Sequence, residues 1–222
     1  MEHFDNSNVD PAILKKLSAQ VTHFHGPRKN LSFVISVEAL GASRQAATAG
    51  LKDRDSSQFV ARSFEEFRRF RRSLLLRVGG SVGIELGPAV LFRGSASNHA
   101  RCTCQGAKGC AFDATRTFIE RARFTRMPLF ALSLSEEDVA NRQTEMNNFL
   151  RLIFAIVHRM HPSHWQSNCL FLQDILTFLD VEEAFFEQVE DYLKQKKRQL
   201  SLGGWKAHTA GSFGNGIRTK QN

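Results

Sequence analysis

The order of periodicities along this chain predicts an α+β fold, a three-stranded antiparallel meander packed on a helical bundle. Two observations carry that expectation. Three short β-rich stretches precede Phe64, and from Phe64 onward the apolar residues recur at helical spacing. Composition adds a third: 42% of the 222 residues are hydrophobic, and nineteen are Phe against one Tyr and two Trp, which suggests a Phe-filled core.

Taken in order, residues 1–17 are a polar lead with a short helical piece from Pro11 to Leu17. Residues 18–25 give a weak strand signal around Val21 and Phe24, and Gly26-Pro27 marks a turn. Residues 31–40 are the clearest strand, with Leu31, Phe33, Ile35 and Val37 on one face. A polar connector, 41–56, leads to a third strand at 57–62. Phe64, Phe67, Phe70, Leu74 and Leu75 then predict an amphipathic helix over 64–77, ended by Gly79-Gly80. Residues 79–109 are rich in Gly, Ser and Ala and read as a long loop, followed by a short helix over 111–122. Residues 124–132 are extended and apolar around Pro128. Val139, Met146, Phe149, Leu150, Ile153, Ile156 and Val157 predict a helix over 135–160, stopped by Pro162. Leu170, Phe171, Ile175, Phe178 and Leu179 predict another over 168–180, and 183–200 a further amphipathic one ending in a basic run. The expected organisation is a lead at 1–17, a domain at 18–180 with a Cys-containing loop insertion at 79–112, a helix at 181–200 and a disordered tail at 201–222.

Lys plus Arg number 30 and Asp plus Glu 22, a net charge of +8 that favours anionic partners if it is localised. No stretch has the apolar length of a membrane span, and residues 1–10 lack a basic start and an apolar run. The expectation is an intracellular protein, whose four cysteines are thiols or metal ligands rather than disulfides.

Ser63-Phe-Glu-Glu66 is a capping-box pattern, so Ser63 has a structural reason to open the helix. Arg142 falls on the apolar stripe between Val139 and Met146. A cation there faces a pocket or is paired, with Glu66 or Asp138 as candidate partners, and a guanidinium suits a phosphate because it donates two parallel bonds. Two arginine groups, 68, 69, 71, 72 and 77 on the helix and 116, 121, 123 and 126 before the proline segment, form a broad cationic surface if they lie side by side. Leu129 and Phe130 then stand ready to insert between headgroups. No stacking platform or recognition motif for nucleic acid is present. His99, Cys102, Cys104 and Cys110 lie close in sequence, and thiolate and imidazole are good Zn²⁺ ligands, so this loop is a candidate zinc staple, the alternatives being surface thiols or a Cys104–Cys110 pair. Cys169 reads as a buried small hydrophobe. No phosphate-cradling Gly loop or nucleophile turn points to an enzyme or to a small-molecule substrate.

Over residues 18–180 this order of features resembles a phox-homology (PX) domain. Val60-Ala61-Arg62-Ser63-Phe64-Glu65-Glu66-Phe67 resembles the motif that opens that family's first helix. Phe124-Thr-Arg-Met-Pro128 resembles its proline loop, and Asn141-Arg142-Gln143 leading into Asn148-Phe149-Leu150 its second-arginine segment. Ser63 stands where the family carries the Arg that holds the 3-phosphate, and Phe64 where it carries the Tyr that stacks on the inositol ring. Arg62 matches the other arginine of the motif, but neighbouring strand residues point to opposite faces. The resemblance implies a non-enzymatic module on anionic phosphoinositide membranes, peripheral on endosomal-type endomembranes in the cytoplasm, with Arg62, Phe64, Arg126 and Arg142 at the lipid. The alternative is a PX-like protein-interaction scaffold that has lost lipid binding and has a zinc-stapled loop.

Overall fold

The computed structural model describes residues 9–27, 31–40, 57–79, 101–125, 135–161 and 166–212. A 3-10 helix, Pro11–Lys16, leads into three antiparallel strands in the order β1 (Leu17–His25), β2 (Ser32–Ala39) and β3 (Ser57–Ser63). Helices α1 (Phe64–Arg77), α2 (Arg116–Arg121), α3 (Glu136–Arg159), α4 (Leu170–Leu179) and α5 (Glu183–Ser212) follow. The chain is therefore mixed α+β, a meander followed by helices.

Strand β2 sits in the middle of the sheet and is buried along most of its length, Phe33, Ile35 and Val37 completely. That explains why Val34 departs from simple alternation: it is buried too. Strand β1 pairs with β2 from Leu17↔Ala39 to His25↔Ser32, with a register shift between Val21 and His23. At that irregularity the Asn147 side chain on α3 accepts from the Val21 N–H at 2.7 Å and donates to the Val21 carbonyl at 3.1 Å. Gln143, one turn earlier, donates to the Thr22 carbonyl at 3.2 Å.

Helix α1 begins where its sequence says it should. Ser63 is extended at φ −75°, ψ 161°, and its hydroxyl accepts from the Glu66 N–H at 3.2 Å. The Glu66 carboxylate in return accepts from the Ser63 N–H at 2.7 Å. Two orphan donors of the first turn are thus satisfied, and Glu65 and Glu66 complement the helix dipole. Gly79, at φ +67°, supplies the left-handed residue after the last turn. Helix α3 starts on a second capping box, Ser135 with Asp138.

The core is built on phenylalanines. Phe70 and Phe178 stack at 4.0 Å, and Phe67 meets Phe178 edge-on at 4.9 Å. Phe124 contacts Phe64, Phe67 and Phe149. A second stack, Phe112 on Phe171 at 4.5 Å, joins the 101–115 segment to α4. Each buried ring removes a large apolar area from water, and such ring pairs add about 0.5–1.5 kcal/mol beyond area. Two arginines complete the interior. Arg71 donates to the Ile119 and Glu120 carbonyls at 3.2 and 3.0 Å, satisfying groups at the end of α2. Arg77 forms a two-bond pair with Asp174 on α4, at 2.9 and 3.1 Å.

Some boundaries differ from expectation. The helix expected over 111–122 divides into a 3-10 turn, Asp113–Thr115, and the short α2. The tail expected to be disordered from residue 201 is helical as far as Ser212, in continuation of α5. Most of the 124–132 segment, with Leu129 and Phe130, lies outside the described residues, as do 80–100.

Candidate functional site

Two groups of side chains stand out, one at the start of α1 and one at the start of α4. The first centres on Arg142. Helix α3 carries it inward on the stripe of Val139 and Met146, and it is 7% exposed. Its guanidinium carbon lies 4.0 Å from the centre of the Phe64 ring, a close cation–π stack. Burial works against its charge, while Glu145 and Asp138 favour it and Arg68 opposes it. An arginine stays protonated regardless.

The two acids nearest in sequence are committed elsewhere. Asp138 accepts from the Ser135 hydroxyl at 2.6 Å and from the Ser135 N–H at 3.1 Å, and these bonds hold its carboxyl below the usual range. Glu145 accepts from the Thr125 N–H at 3.1 Å and from the Thr125 hydroxyl. Glu66 is taken by Ser63. Among the described residues, then, none of these three carboxylates hydrogen-bonds the Arg142 guanidinium.

The other residues expected at this site are placed differently. Phe64 is half-buried, with Arg142 over its face and Phe124 edge-on at 5.8 Å. It holds the cation rather than offering an open ring. Arg62 turns to α4, where its Nε donates to the Phe178 carbonyl at 2.8 Å and Nη2 lies 3.9 Å from the Asp180 carboxylate. Those bonds occupy the side chain with the end of α4. Arg126 lies outside the described residues. Of the wider arginine group, Arg71 and Arg77 point into the core, as described above, which removes them from any cationic surface. Arg69, Arg72, Arg121 and Arg123 are exposed, and Arg68 is half-buried beside Glu65 at 3.1 Å.

The second group is a cluster of thiols. Cys102, Cys104, Cys110 and Cys169 bring their sulfurs within 4.8 Å of one another. Cys102–Cys169, Cys104–Cys110 and Cys110–Cys169 are each 3.8 Å apart, and all four cysteines are free thiols. Three come from the 101–110 loop, where Gly106 and Gly109 take φ of +63° and +84° to fold the chain back. At φ +84° any other residue at Gly109 would be strained, and its Cβ would meet Asp113 Oδ2 at 2.7 Å. The Cys102 N–H donates to the Arg77 carbonyl at 2.9 Å, and Arg101 pairs with Asp113 at 2.8 Å. The fourth sulfur comes from Cys169, the residue capping α4.

This corrects the expectation for Cys169: it is completely buried, but among thiols. His99 lies outside the described residues. Nothing in the sequence pointed to Cys169, because His99 already filled the fourth place of a tetrahedral site and Cys169 lies 59 residues beyond Cys110. Crowding perturbs the thiols unequally. Burial, with the charge of Cys110 nearby, pushes Cys104 up to about 12. A hydrogen bond with Cys169, then burial, pushes Cys110 up. For Cys102 burial is the largest influence and raises the pKa, but N–H donors from Cys104 and Phe171 and the neighbouring thiols together outweigh it and lower the pKa.

Comparisons with protein-family models, with curated proteins and with solved structures find no match. Among the described residues no helix is long and apolar enough to cross a membrane.

Proposed function

We propose that this chain is a PX-like module that docks on anionic, phosphoinositide-bearing membranes through Arg142, with no catalysis of its own. The observation that carries the reading is the state of Arg142. It is a buried cation stacked on Phe64, and each neighbouring carboxylate is engaged elsewhere. A guanidinium desolvated in this way gains most from an acceptor that fits its fork, and a phosphate is such an acceptor. Arg68 nearby adds positive potential, and the exposed arginines of α1 and residues 121–123 would attract an anionic leaflet at about 1 kcal/mol each. Such a module would be peripheral on cytoplasmic, endosomal-type surfaces. A structural zinc held by the cysteine loop belongs to the same reading, since a set of thiols suits that ion.

The test is sedimentation of the chain with vesicles that are neutral, phosphatidylserine-only or phosphoinositide-containing, at low and physiological salt. Binding that needs phosphoinositide and survives salt is expected. Arg142→Ala should weaken it by about tenfold or more, because a charge-assisted hydrogen bond contributes roughly 1.5–3 kcal/mol. Unchanged binding by that variant, with its circular dichroism intact, would remove Arg142 from the site. The second reading is a protein-interaction scaffold without lipid binding. Ser63 spent on the helix cap and Arg62 bonded to α4 favour it, because β3 then contributes no phosphate ligand. It expects no vesicle association at physiological salt.

A further inference from the structure

We propose that Cys102, Cys104, Cys110 and Cys169 together hold one structural Zn²⁺ ion, with Cys169 rather than His99 as the fourth ligand. This rests on the zinc reading above and names its ligands. The geometry supports it first. Zinc with metal–sulfur distances of about 2.3 Å in a tetrahedron has sulfur–sulfur edges of about 3.8 Å. Three of the six edges of this cluster are 3.8 Å, and all six lie within 4.8 Å. A disulfide requires about 2.05 Å, and a pair of disulfides would not need all four sulfurs to converge.

Neutral thiols are weak donors and weak acceptors, so the bonds among these four, three of them buried, hold the cluster only weakly. One divalent cation resolves that: it binds four sulfurs, displaces their protons to solvent and leaves no thiol without a partner.

The loop geometry is also that of a ligand frame. Gly109 has a φ at which any other residue would be strained, and Asp113 ties the loop by accepting from Arg101 and from the Cys110 N–H at 3.3 Å. Stacking of Phe112 on Phe171 brings the loop against the first turn of α4, where Cys169 waits. The ion would therefore bridge two parts of the chain far apart in sequence, rather than staple one loop to itself.

The experiment uses the unmodified full chain, purified without chelators. Its metal content is measured, and X-ray absorption at the zinc edge counts the ligands. Stoichiometric zinc with four sulfur neighbours is the expected result. Zinc with three sulfurs and one nitrogen would overturn Cys169 as a ligand while leaving the zinc reading intact. A folded chain without zinc, or with iron in its place, would overturn both. As a second arm, His99→Ala should keep its zinc, and loss of zinc there would count against the proposal even if Cys169→Ala fails to fold.

Discussion

Ser63 and Arg142 differ in how far their side chains are committed. The hydroxyl of Ser63 accepts from the first turn of α1. The guanidinium of Arg142, carried by α3, stacks on Phe64. Ser63→Ala should therefore cost stability and leave vesicle association unchanged. A decrease of about 1 kcal/mol in the free energy of unfolding by denaturant is expected for loss of the cap. A variant as stable as the parent would mean that Glu66 alone satisfies the turn. Arg142 was legible in the sequence because a cation on an apolar stripe is an anomaly. The engagement of Glu145 was not, because its partner, Thr125, lies twenty residues away and is set by the fold.

At the scale of elements, α1 is the best-read part of the molecule. Its phenylalanine spacing, its capping box and the glycine after it agree, and it spans Phe64–Arg77 as expected. The strands were legible for the same reason, since Phe33, Ile35 and Val37 of β2 recur on one face. Contacts between elements were not. Arg77 reads as one more member of a basic face, yet it crosses to α4 and pairs with Asp174, which also accepts from Ser73. That pair is mostly shielded from water, the side chains being 9% and 18% exposed. Asp174→Ala would remove both of the guanidinium's bonds across the interface of α1 and α4, so a loss of about 3 kcal/mol is expected. Thermal or denaturant unfolding measures it, and a loss below about 1 kcal/mol would show that Arg77 finds water or another acceptor.

For the whole molecule, the α+β order follows from the change of period at Phe64, whereas the long-range tie between the loop and α4 does not. Periodicity reports on neighbours, and Cys169 is distant in sequence from the three thiols that it joins. Removal of zinc should therefore act locally in structure and globally in stability. A ligand bound only by the folded state lowers the melting temperature when it is withdrawn. Hydrogen exchange after chelation should speed up most over 101–125 and the first turn of α4, and least at the β2 amides. Uniform loss of protection would mean that the cluster holds the entire fold together. The bulge of β1 has a different consequence. β1 lies at an edge of the sheet, and the Asn147 amide presents to Val21 the same donor and acceptor that an added peptide would offer. A foreign strand pairing at Val21 and Thr22 would have to displace a helix already bonded there, so sheet growth by β-augmentation or domain exchange is opposed at that point of β1.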